Sequence, residues 1–129
     1  MIELTLRTTG RRLLVDITDR VAHAIRESGQ DDGAWLVHVP HTTAGLTINE
    51  GADPAVARDV LAAWERLVPD DLPYEHAEGN SAAHVLSSMA GASVLVVSEH
   101  QELRLGTWQA IFFCEFDGPR ARNVWLRKV

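Results

Sequence analysis

The chain has 129 residues, 46% hydrophobic and 23% charged, the size and balance of one globular domain spanning residues 1–129. Its net charge of −6 argues against non-specific binding to nucleic acid or an anionic membrane, but a few local arginines can still bind a small anion. The single cysteine, Cys114, rules out an internal disulfide framework, and no leader or membrane-length apolar run is present, so a cytoplasmic protein is expected.

Ile2, Leu4 and Leu6 alternate with Glu3, Thr5 and Arg7, which predicts a half-buried strand. Thr8-Thr9-Gly10 turns the chain into a second strand over Arg11 to Asp16. Thr18 is the expected cap of a helix to about Ser28, with Ile17, Val21 and Ile25 on its apolar stripe and Gly29 as its stop. Ala34 to Val39 is a strand ended by Pro40. Leu46 and Ile48 against Thr47 and Asn49 read as a short strand with one polar face. Asp53-Pro54 then starts the strongest helix, to Leu67, with Val56, Val60, Leu61, Trp64 and Leu67 on one side.

Val68 to Gly79 is a twelve-residue loop, a length that in compact domains is usually functional. A short helix runs from about Asn80 or Ser81 to Ala90, stopped by Gly91. Ser93 to Ser98 is a continuous apolar strand, and Glu99 to Glu102 a turn. Leu103 to Leu105, a strand to about Phe116, the turn Asp117-Gly118-Pro119 and an alternating strand over Arg122 to Val129 complete the chain. Seven or eight strands and three helices, with hairpins at both ends, predict a compact α+β fold with largely antiparallel sheets. The number of strand edges favours a homo-oligomer.

The stretch His41 to Asp53 gathers a histidine, three threonines, an amide and two carboxylates, so it reads equally as one wall of a site or as a connection. On the short helix, His84 lies opposite the apolar side of Ala82, Val85, Leu86 and Met89, which makes a packed core histidine a poor description of it. Gly79 before that helix would let backbone N–H groups approach an anion, with Arg120 and Arg122 as nearby cations, although Gly79 also serves as a plain turn and Asn80 or Ser81 as a plain cap. His41, His76 and His84 come from three elements and could make a zinc site with an open fourth position, but no HExxH or paired-cysteine spacing supports it. Glu50, Asp53, Glu78 and Glu115 could each ligate, orient a histidine or act as base, while Asp53 reads most simply as a helix cap. Gln109 and Glu115 share a strand face with Ile111 and Phe113 and need partners if buried. Cys114, among phenylalanines, is expected to be an inert packed thiol.

These motifs together resemble the YjbQ-like family, also called secondary thiamine-phosphate synthase enzymes. The matching segments are His41-Thr42-Thr43-Ala44, Ile48-Asn49-Glu50, Asp53-Pro54, Val68-Pro69, Tyr74-Glu75-His76, Glu78-Gly79-Asn80, Ala83-His84, Leu105 to Gln109, and Glu115 to Arg120. The resemblance covers nearly the whole chain in order. Ser87 stands where many members carry a lysine.

The resemblance implies a β-sandwich-like α+β fold, a homotrimer and a polar pocket between subunits. It implies metal, zinc in the first instance, on His41, His76 and His84. It places Glu50, Asp53 and His76 in catalysis, and Thr42, Thr43, Asn49, Gly79, Asn80, Thr107, Gln109 and Arg120 around a small anionic substrate. The implied activity joins an aminopyrimidine methyl diphosphate to a thiazole phosphate and releases pyrophosphate. The residues suit it, since an arginine, a helix N-terminus and a metal could hold the leaving diphosphate. The alternatives are a hydrolase of a phosphorylated metabolite, a non-catalytic trimeric metal- or ligand-binding module, and a purely structural oligomer.

Overall fold

The computed structural model describes all residues, Met1–Val129. Eight strands and three helices follow in the order β1 (Ile2–Arg7), β2 (Leu13–Asp16), α1 (Thr18–Glu27), β3 (Gly33–His38), β4 (Ala44–Glu50), α2 (Pro54–Leu67), α3 (Ser81–Ala90), β5 (Ser93–Glu99), β6 (Glu102–Arg104), β7 (Gln109–Glu115) and β8 (Ala121–Lys128). They form a five-stranded sheet, β1-β8-β3-β5-β6, and a three-stranded sheet, β2-β7-β4. Every pairing is antiparallel. The fold is the α+β arrangement of antiparallel sheets expected from the hairpin-rich pattern.

The strand alternation carries through to packing. Trp35 and Val37 of β3, Val96 of β5, and Val124 and Leu126 of β8 meet Leu46 of β4 and Ile111 and Phe113 of β7 in one core, which Val21, Ala24 and Ile25 of α1 close. On the other side of the three-stranded sheet, Cys114 and Phe116 pack with Ala82, Ala83 and Leu86 of α3 and with Val68. Every residue of β7 after Gln109 is therefore buried. Cys114 is fully buried and burial pushes its thiol pKa up to about 12, as its apolar setting predicted. α3 lies close on β4 because Gly45 has no side chain: a Cβ there would sit 2.7 Å from the Gly91 carbonyl oxygen.

Three local expectations change. Thr18 does not cap α1: its hydroxyl accepts the Ile111 N–H of β7 at 2.9 Å, while its own N–H donates to Asp16 Oδ1. The hydroxyl is spent on joining the helix to the sheet. Glu99 and Glu102 are the last and first residues of β5 and β6, and only His100 and Gln101, both at positive φ, make the turn. That two-residue geometry is the one that suits the strand twist. Finally, no residue of α2 is fully buried, and Leu67 is 70% exposed. The helix is well formed, with Asp53 Oδ1 accepting the Ala55 N–H at 2.9 Å, but it stands off the three-stranded sheet.

One polar pair lies inside the apolar frame. Glu115 of β7 and Arg122 of β8 both point between the sheets and are 0% and 3% exposed as side chains. Arg122 Nε donates to Glu115 Oε1 at 2.9 Å, and Nη2 donates to Oε2. The same Nη2 also donates to Thr43 Oγ1 at 2.9 Å and to the Thr43 carbonyl at 3.2 Å. Thr8 Oγ1 donates to Glu115 Oε1 at 2.6 Å and the Asp117 N–H to Oε2 at 3.0 Å. Burial pushes the Glu115 carboxyl pKa up, but the donors from Arg122, Thr8 and Asp117 outweigh it and hold it below the usual value.

Removing one partner of such a pair leaves a buried charge, so Arg122→Met is expected to lower unfolding free energy by about 3–5 kcal/mol, with Glu115→Leu/Arg122→Met milder than the single changes combined. Urea unfolding of the three variants checks this. Because the folded pKa of Glu115 is lowered, its stabilisation is present above the unfolded value of about 4.3 and is lost as pH falls through the folded value. The wild-type protein should therefore lose stability more steeply in acid than Glu115→Gln, and parallel pH curves would contradict this assignment.

Candidate functional site

Strand β4 separates the candidate residues into two groups. Ala44 at its start pairs with Glu115, and Glu50 at its end pairs with Gln109. Six steps of strand place these ends about 20 Å apart.

At the first end, Asn80 occupies the N-cap position of α3 but makes no side-chain cap; its Nδ2 donates to Asp117 Oδ2 at 3.0 Å. Arg120 donates to the same carboxylate oxygen from Nη2 at 3.1 Å and to the Asp117 carbonyl from Nε at 2.8 Å. Asp117 thus fixes both Asn80 and Arg120, while Arg120 Nη1 has no partner and the side chain is 51% exposed. Asn80 Oδ1 is buried without a partner. Gly79, at φ +77°, makes the turn into the helix. His76 from the loop and His84 from α3 meet edge to face, with ring centroids 5.3 Å apart. Together with Tyr74, Ser81 and Val85 they line a groove of about 360 Å³. His76 Nε2 lies 3.7 Å from Glu78 Oε2. The loop holding His76 is tied back by Tyr74, whose hydroxyl donates to the Pro69 carbonyl at 2.7 Å.

His41 does something different from its expected metal role. Its Nε2 accepts the Asn123 N–H at 2.9 Å. In the neutral ring the proton then sits on Nδ1, leaving no free lone pair for a metal. Within one chain no three His, Cys, Asp or Glu side chains are grouped to hold a metal ion, so the three-histidine set does not fit a zinc site there; His76 and His84 alone come together. Thr43 is buried and committed to Arg122. Thr42 is exposed. Ser87 is buried, with its hydroxyl donating to the Ala44 carbonyl at 2.6 Å, so this position joins α3 to β4.

At the second end, Asn49, Glu50 and Gln109 gather beside Trp108 around a shallow hollow of about 220 Å³. Asn49 Oδ1 accepts the Glu50 N–H, and Gln109 Oε1 accepts the Gly106 N–H at 2.8 Å. Thr107 is exposed in the turn before β7. Asp53 is occupied as the cap of α2. The proposed bases Glu50 and Asp53 are thus not brought to His76 within one chain.

Sequence reading missed the clamp made by Asp117, which had appeared as a turn residue and inside a matching segment but with no partner assigned. It also treated Arg122 as a free cation. The signal available for Arg122 was its place two and four residues before Val124 and Leu126, on the inward face of β8.

Two facing antiparallel sheets with three helices, and ionisable groups collected at the sheet ends, define a single-domain α+β protein with a solvent-facing polar site. The chain belongs to the YjbQ-like family: the family model described as "UPF0047 protein YjbQ-like" matches residues 2–129. It is 48% identical over 125 residues to UPF0047 protein YugU of Bacillus subtilis, covering 96% of this chain and 95% of that protein. A UPF0047 protein of Methanocaldococcus jannaschii is 45% identical over 127 residues, with 98% and 92% covered. The crystal structure of an uncharacterized YjbQ/UPF0047 protein from Clostridium acetobutylicum superposes with a TM-score of 0.96 at 47% identity, covering both chains completely. A conserved hypothetical protein from Thermus thermophilus gives 0.92 at 43% identity, again over both whole chains.

Burial lowers the His41 pKa, as does the neighbouring Arg122 charge, while Glu115 opposes them. His41 is expected to titrate below the ordinary histidine value of about 6.5 and to be neutral at pH 7. Stability linked to it is present above that unfolded value and lost as pH falls through the folded one. Following the ring proton resonances by NMR against pH checks this; a midpoint at or above the ordinary value would contradict it.

Proposed function

We propose that the protein is an enzyme acting on a small phosphorylated or diphosphorylated substrate, with thiamine-phosphate synthesis as the specific activity. The observation that carries this reading is the pairing of exposed His76 with half-buried His84 of α3, a helix whose N-cap Asn80 shares the Asp117 carboxylate with Arg120. Two imidazoles from separate elements, facing a groove rather than the core, suit proton transfer. The helix N-terminus and Arg120 Nη1 would hold the leaving diphosphate, and Asp117 keeps Arg120 in place.

A zinc ion would find two nitrogen donors in His76 and His84 and would need its remaining ligands from a neighbouring copy; bound so, it would supply positive charge to a diphosphate. A homotrimer would supply further groups at the site from a neighbouring copy. Its support is the outer face of the five-stranded sheet, where Leu95 and Val97 are 62% and 52% exposed. Size-exclusion chromatography with light scattering is expected to give a trimer of the 14.2-kDa chain.

The purified protein should join aminopyrimidine methyl diphosphate and thiazole phosphate, releasing pyrophosphate. His76→Ala and His84→Ala should each lower kcat/KM by roughly 10²–10⁴-fold without unfolding the chain. No thiamine phosphate, with or without added zinc, would overturn the activity. Full activity in both variants would overturn the site.

A further inference from the structure

The gap under α2 is a cavity of about 480 Å³, within the size range of small-molecule pockets. It lies between α2 and the three-stranded sheet, with Leu13, Leu14, Ala57, Leu61 and Phe112 as its apolar wall. Four charged side chains also line it: Arg12, Arg58, Asp16 and Glu50. The Arg12 side chain is only 6% exposed. Its Nη1 and Nη2 donate to Glu65 and Asp70 at 3.3 and 2.7 Å, but its Nε is buried with no partner at all. Arg12 therefore adds positive charge to the cavity wall while its Nε stays closed off from it.

The other three charges keep bonding capacity. Arg58 makes no ion pair, although Glu50 lines the same cavity. The Glu50 carboxylate accepts no hydrogen bond, and Asp16 uses only Oδ1, on the Thr18 N–H. Opposite charges are therefore held apart around an apolar space, without neutralising each other. That arrangement complements a molecule with an apolar body, an acid at one edge and an amine or other donor at another.

We propose that this cavity is a binding site for a small amphoteric molecule with a flat apolar body. Its acid group accepts from the Arg58 guanidinium, with Arg12 adding positive charge behind it, its donor group reaches Glu50 or Asp16, and its ring lies against Leu13, Leu61 and Phe112. The site is separate from the His76–His84 groove, and no residue lines both. Binding here does not depend on the activity proposed above.

The probe is 4-aminobenzoate, which carries a carboxylate and an amine across one ring. Titrated into the ¹⁵N-labelled protein, it should shift the Leu13, Leu14, Gly51 and Ala57 amides saturably and leave His84 and Ser81 unmoved. Ala57→Trp, which fills the cavity, should abolish the shifts. Arg58→Met, a change at an exposed side chain that leaves the fold intact, should weaken binding roughly tenfold by removing one charged hydrogen bond. Benzoate lacking the amine should bind more weakly than 4-aminobenzoate. Absence of saturable shifts at these amides, or unchanged affinity in Arg58→Met, would overturn the proposal; the second variant decides the matter should Ala57→Trp not fold.

Discussion

The structure depends on a charge pair placed where the two sheets meet. Glu115 belongs to the three-stranded sheet and Arg122 to the five-stranded one, and the short chain between them must reverse within six residues. Their contact fixes how β7 passes into β8. It recruits Thr8 from the loop after β1 and Thr43 from the approach to β4, so four separate segments converge on one carboxylate and one guanidinium. A buried pair of this kind is weak evidence for stability compared with an apolar alternative of the same shape. Its use here is placement. It aligns the turn bearing Asp117 and Arg120 with the start of α3, and it sets the charge around His41.

From that constraint the rest of the site follows. Asp117 leaves the end of β7 and reaches both Asn80 and Arg120, which joins the last hairpin to the helix N-terminus. α3 is held against β4 by the Ser87 hydroxyl and by the absence of a side chain at Gly45. His84 is carried one turn before Ser87, facing away from the core, and the tied loop brings His76 against it. The distance between the two imidazoles and the carboxylate of Glu50 is equally a product of the fold. A seven-residue strand lies between the end that holds Thr43 and the end that holds Glu50.

Much of the framework was legible in the sequence because side-chain period reports which face is buried. The alternation in β1 and β8 and the Asp53-Pro54 start of α2 carried into the structure, whereas the continuous apolar run of β5 formed its strand but leaves Leu95 and Val97 on an exposed face. The fate of Cys114 followed from its phenylalanine neighbours. What sequence could not show is which polar atoms are already spent. His41 and Thr43 look available in a string of letters, yet one accepts a backbone N–H from β8 and the other accepts from Arg122. Proximity along the chain also misled: His41 and Glu50 are neighbours in one motif but stand at opposite ends of a strand. α2 read as the strongest helix and proved the least buried: of its apolar stripe only Leu61 lines the cavity, Trp64 packs edge-on against Phe116, and Leu67 faces solvent.

The central claim is that diphosphate is held where α3 begins, by its N-terminal amides and Arg120. The most direct measurement is an NMR titration of the ¹⁵N-labelled protein with inorganic pyrophosphate. The account predicts saturable shifts at the Asn80, Ser81 and His84 amides and at the Arg120 side chain. Shifts that gather at Glu50 and Gln109 while those residues stay unmoved would contradict it.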